Sequence, residues 1–438
     1  MSNPFDFSNL GAMLQQLGAM MQSGGQATGP VNWDLAISTA RQGIATAGDP
    51  GVSSAESEAT RAAVELAETW LDEATDFPRA AAQAATWSRS TWLESTLPAW
   101  QAIVEPIAEH VASVTSSGMQ GLTDPSKLSE MDLPEPLRDA FPGGVPPEAM
   151  AMLGPLMGMA QQMGASMFGM QVGQGLGALA ADVLCSSDIG IPLTEDHVPT
   201  LVPANLTAFT EDLSIDADQV RLFIALREAA HQRLFAHVPW LRARLLGAID
   251  AYARGIHLDT DRLQEAMGGL DPTALSDPGK LSELLGEDAF TPADTPEQQA
   301  ALARLETLLA LVEGWVADVV DEAAGARLPA ADALAETMRR RRAAGGPAEK
   351  TFASLIGLEL RPRSLREAAD VWRGMRESGG TTGRDGLWAH PDLLPTRDDL
   401  DDPVSFLARG AMDAELSAEL DALGRSEDTD DSPDETTE

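Results

Sequence analysis

The chain has 438 residues, 44% of them hydrophobic, which is enough for a substantial core and more than one domain. Its 30 Lys and Arg stand against 68 Asp and Glu, a net charge of −38, and that field repels nucleic acid and anionic membrane surfaces. One cysteine, Cys185, excludes an internal disulfide and any multi-cysteine metal site, and reads as a buried, inert thiol.

Residues 1–30 are rich in Gln, Gly and Met and lack a basic start, so they read as a flexible leader of a cytoplasmic protein and not as a secretory signal. Region 31–147 is expected to be helical. It holds helices over 32–47 and 54–74, the latter with Ser53 and Ser54 available as caps. A third spans 78–110, with Trp87, Trp92 and Trp100 as core knobs. The proline-rich stretch 134–147 is a candidate boundary.

Region 148–410 opens on an uncharged run of Met, Gly and Ala over 149–181. That length could span a bilayer, but its glutamines, glycines and Pro155 favour a central helix buried on all sides by other helices. Gly169, Gly173 and Gly177 form a stripe suited to close helix contact. The best extended candidate is 189–209, with short pieces at 191–193 and 200–202. An amphipathic helix follows over 216–235, then helices over 239–254 and 296–324, with short helices and turns across 259–285. The helix over 329–343 ends in Arg339–Arg342, cations suited to a helix C-terminus. Further helices cover 349–356 and 364–377, and 379–395 reads as a Gly/Pro-rich loop holding Trp388 and His390. The end, 411–438, closes a helix and runs into an acidic tail expected to be disordered. Helical periodicity dominates throughout, so the fold class is mainly α with only a few short strands.

The helix over 216–235 carries Arg227-Glu228-Ala229-Ala230-His231. A zinc-protease H-E-x-x-H places two histidines four residues apart, an advance of about 400° that brings both imidazoles to one face. The glutamate between them serves as general base. Here Glu228 and His231 hold their places and Arg227 stands in the first. A glutamate from a second helix completes the gluzincin variant of that site, often followed by Gly and an aromatic. Glu313-Gly314-Trp315 has that form. Gly314 falls mid-helix, where glycine costs about 1 kcal/mol against alanine, so a close approach of another helix is expected there. His237 stands at the offset of the third metzincin histidine. His110, His197 and His257 lie apart from any acid or histidine at ligand spacing. His390 reads as lining the cleft or capping a helix.

The chain resembles the zincin-like metallopeptidase family typical of actinobacteria. The resemblance rests on the Met/Gly-rich helix from 166 to 184, the Arg227–Trp240 stretch, Glu313-Gly314-Trp315, and Leu387-Trp388-Ala389-His390-Pro391. It implies a multi-helix zincin fold, a peptide or protein substrate, and zinc as cofactor. By position it makes Glu228 the general base and His231 and Glu313 metal ligands; Trp315 and His390 are candidate residues of the cleft. Arg227 departs from the pattern. A guanidinium about 5 Å from a divalent ion costs about 7 kcal/mol at an effective dielectric of 20. A full ligand set gains about 10–16 kcal/mol, so the inherited site is expected to bind zinc weakly or not at all. Three readings stay open. His231, His237 and Glu313 could hold zinc with Arg227 swung to solvent. Arg227 could pair with Glu313 or Glu228 and replace the metal, leaving a non-catalytic peptide-binding or scaffold protein. Or these residues are ordinary parts of a helical surface.

Overall fold

The computed structural model describes residues 29–123, 147–255, 295–346 and 364–409. The leader, the 134–146 connector, the 259–285 and 349–356 segments and the acidic tail fall outside them. Helix α1 (Trp33–Ala47) starts where the Asn32 side chain accepts the Leu35 N–H. Helix α2 (Ser54–Leu71) starts at a capping box between Ser53 and Glu56. Strand β1 (Ala85–Thr86) interrupts the helix expected from 78, which begins instead as α3 (Arg89–Thr123) and buries Trp92 and Trp100 completely.

Helix α4 (Pro147–Ala180) lies along α1. A Cβ at Gly169, Gly173 or Gly177 would come within 3.0 Å of the backbone oxygens of Asn32, Ala36 and Ala40 respectively, so the glycine stripe is what lets the two helices touch. The expectation of burial on all sides does not hold. With α1 and α3 packed against it, α4 still leaves Met163, Met167 and Met170 exposed. Among the described residues no helix is long and apolar enough to cross a membrane.

The extended stretch expected over 189–209 shrinks to strand β2 (Thr200–Leu201), which pairs in parallel with β1. Pro203 then opens helix α5 (Pro203–Glu211), because its fixed φ suits a first helical turn and its missing N–H is not needed there. Helix α6 (Ala217–His237) is capped by Asp216 and is not amphipathic. Every residue from Phe223 to Phe235 is buried, since α2, α5, β2 and the helices that follow surround it. Those helices are α7 (Pro239–Arg254), α8 (Pro296–Ala324) and α9 (Ala331–Ala343).

Helix α10 (Leu365–Gly386) crosses α8 at Gly314, where a Cβ would sit 2.7 Å from the Ala368 Cβ. The predicted loop from 379 is therefore mostly helix. The chain kinks at Gly380, whose φ of 69° suits a residue without a Cβ, and runs on to Gly386. Two 3-10 turns and the short helix α11 (Arg397–Asp401) complete the described fold. One core of buried hydrophobic residues extends from Val31 to Leu400. The protein is mainly α, with a single two-stranded sheet among the described residues.

Candidate functional site

Because α6 is enclosed, its polar residues must find partners inside the protein: Arg233 pairs with Glu68 and Asp72 at α2, and the others turn in two further directions. Arg227 and His231 are one helical turn apart and share a face toward α8, where both meet Glu313. Arg227 Nη2 donates to Glu313 Oε2 at 2.6 Å, and His231 Nε2 lies 3.0 Å from Oε1. A third group arrives from α9: Arg342 Nη2 donates to Oε1 at 2.6 Å and shares that guanidinium nitrogen with the Asp188 carbonyl. Burial alone would push the Glu313 carboxyl up, but Arg342, His231 and Arg227 outweigh it and hold it well below the ordinary glutamate range. His231 Nδ1 faces the Arg227 carbonyl oxygen at 2.8 Å. Both ring nitrogens are thus held by hydrogen bonds inside the protein. Gly190, at φ 76°, lets the 185–199 segment cover this cluster, since a Cβ there would lie 2.9 Å from Glu313 Oε1.

Glu228 is one residue from Arg227, about 100° around the helix, and faces away from Glu313. It is fully buried and accepts from Ser186 Oγ at 2.5 Å, the Ser187 N–H at 3.1 Å and the Thr200 N–H at 3.0 Å. Ser187 Oγ and Gln232 Nε2 also donate to it. These donors pin the connection between α4 and β2 to α6. In this arrangement all five donors hold Glu228 on the side of α6 away from Glu313. Cys185 lies in the same connection; burial first, then the Glu228 and Asp188 charges, pushes its thiol well above the ordinary range.

The remaining expected site residues are dispersed. His237 is exposed at the end of α6, its Nδ1 on the Arg233 carbonyl and its ring stacked on Phe77. It lies about 9 Å along the axis from His231, on another face, so the two imidazoles do not converge. Trp315 is fully buried and donates to Asp385, not toward a cleft. His390 is exposed and accepts the Asp392 N–H at the start of a 3-10 turn, which leaves it capping and not lining. Sequence reasoning missed Arg342 in this role; its only trace was the arginine run ending α9.

This donor set does not fit zinc. A tetrahedral site needs three protein ligands at about 2.0–2.2 Å plus an open position. Here His231 and Glu313 offer two candidate groups, and two guanidiniums, which cannot ligate, hold the carboxylate. Beside Arg227, Glu313 and Arg342 a cleft opens, with a cavity volume of about 130 Å³ and apolar walls from Val320, Ala335, Met338 and Leu365.

The described residues are mainly helical and set an E-x-x-H helix against a glutamate of a second helix. Residues 31–407 match the family described as Zincin-like metallopeptidase, and the chain belongs to that family. Among solved structures it is similar to one from Chloroflexus aurantiacus described as "a putative hydrolase with a novel fold". The TM-score is 0.57 at 18% identity, covering 86% of this chain and 98% of that one. At that identity the likeness is one of fold. None of the curated proteins compared matches the chain.

Proposed function

We propose that the protein is a non-catalytic member of its hydrolase-like family, in which two arginines replace the metal and the old substrate cleft serves to bind a peptide. The observation that carries this reading is the pair of 2.6 Å contacts from Arg227 and Arg342 to Glu313. A carboxylate so held is already charge-compensated, and a divalent ion beside it would face both guanidiniums at close range. With an effective dielectric of 20, each costs about 7 kcal/mol against that ion at 5 Å, comparable in sum to what a complete ligand set gains. The family match favours a second reading, an active metallopeptidase with Glu228 as general base. That would require Glu228 to leave its five donors and turn to the other face of α6.

Metal content and peptide hydrolysis distinguish the two. Protein purified with zinc present is expected to retain far less than one equivalent by elemental analysis and to leave unstructured peptides intact. One equivalent of zinc, lost on His231→Ala or Glu313→Ala, would overturn the proposal. The combined change Arg227→His with Arg342→Ala removes both cations and restores a histidine, and is expected to raise zinc occupancy.

A further inference from the structure

The cleft has a charge balance opposite to that of the chain. Its lining carries Arg227, Arg339, Arg342, Arg366 and Arg373 against three acids, Glu313, Asp321 and Asp370. The whole protein has 30 basic and 68 acidic side chains. Pairing within the lining leaves cationic capacity unused. Arg227 commits one N–H to Glu313 and reaches water through the cleft it lines. Arg342 Nε is buried with no hydrogen-bond partner. Arg339 and Arg373 sit in exposed pairs with Glu336 and Asp370, and such pairs hold weakly. At the rim Arg366 and Asp321 each have no ion-pair partner among the described residues.

The other charges facing the floor set how much negative charge it can accept. Asp188 neutralises Arg341 beyond Arg342, and Glu228 lies on the other face of α6. Arg227 and Arg342 are left to share the single carboxylate of Glu313, with His231 as its further hydrogen-bond partner. One further negative charge balances this floor; a dianion would crowd Glu313, Asp321 and Asp370. A guanidinium fork matches a carboxylate in plane and spacing. The walls are apolar, and a cavity near 130 Å³ has room for one hydrophobic side chain, since an engineered cavity of about 150 Å³ holds benzene.

We propose that this cleft binds the C-terminal residue of a peptide, with its α-carboxylate on Arg227 and Arg342 and its apolar side chain between Val320, Ala335 and Met338. This inference rests on the reading that the arginines, and not a metal, occupy the floor. It specifies what the cleft recognises: a single carboxylate next to a hydrophobic group.

The test uses the full chain and a dansylated Ala-Ala-Leu tripeptide, as free acid and as C-terminal amide, read by fluorescence anisotropy. Losing a charge-assisted bond to carboxylate is expected to weaken the amide by about tenfold or more. Arg366→Ala, which breaks no ion pair among the described residues, is expected to weaken the acid severalfold. Ala335→Trp fills the cavity and is expected to abolish binding of both, with the thermal melt as a check on folding. Acid and amide binding within twofold of each other, or displacement by inorganic phosphate at lower concentration than by N-acetyl-leucine, would overturn the inference. Zinc content and peptide mass are read on the same samples. Zinc or a cleaved peptide overturns the non-catalytic reading and leaves the acid-to-amide comparison standing; equal binding of acid and amide does the reverse.

Discussion

Helix α8 carries two buried arginine–carboxylate clusters little more than one turn apart, and they are built to different ends. At Asp318 the partners are complete. Arg384 donates to Asp318 at 2.9 Å, to Asp385 at 2.8 Å and to the Ala74 carbonyl at 2.6 Å, and Asp385 also accepts from Thr75 and Trp315. Arg384 and Asp318 are wholly buried, and the cluster ties α8, α10 and the end of α2 together. At Glu313 the same chemistry is left open: an orphaned Arg342 Nε, unused Arg227 donors and a cleft alongside. A closed ion cluster orders the fold, whereas one with spare donors at a cavity is equipped to take a ligand.

The largest expected effect is at the closed cluster. Asp318→Asn leaves Arg384 buried with an incomplete partner set, and urea unfolding is expected to show a loss of about 3–5 kcal/mol. Glu313→Gln removes an equally buried charge, but water or a small anion can enter from the cleft, so about 1–3 kcal/mol is expected, partly recovered by acetate. Equal losses at the two sites, with no effect of acetate, would erase the distinction between them.

Acid titration sharpens the comparison further. Glu313 has a depressed folded-state carboxyl, so the stability it confers is complete above the ordinary glutamate value of about 4.3. It is lost as pH falls from there toward the folded value. Arg342→Met removes the strongest of the charges that depress it and should shrink this acid-side loss, measured as the unfolding free energy between about pH 5 and pH 3. A steeper loss in the variant would contradict the assignment. The smallest effect is predicted for His237→Ala, which gives up a stacked contact and one surface hydrogen bond. It should cost below about 1 kcal/mol and leave metal content and peptide binding unchanged.

Much of the helical layout was legible in the chain itself. The glycine stripe on α4, the glycine after Glu313 and the cap of α2 are local signals, and each acts within a turn or through the absence of a side chain. The E-x-x-H spacing likewise put Arg227 and His231 on one face, because that geometry depends only on the helical pitch. Other expectations failed for reasons outside any local window. Residues 203–211 look extendable, but Pro203 with β2 already paired starts a helix. Residues 379–386 have loop composition, but one glycine absorbs the kink and the helix continues.

The amino-acid sequence by itself determined that this is a helical chain with Arg227, Glu228 and His231 at helical spacing, since pitch and residue identity suffice for both. What Arg227 does was decided only by tertiary structure. Whether Glu228 or Glu313 meets Arg227, and whether a distant arginine joins Glu313, depend on how α6, α8 and α9 pack. Enclosure of α6 forced every polar group on it to find a partner, and that demand turned Glu228 to the serines and Glu313 to the arginines.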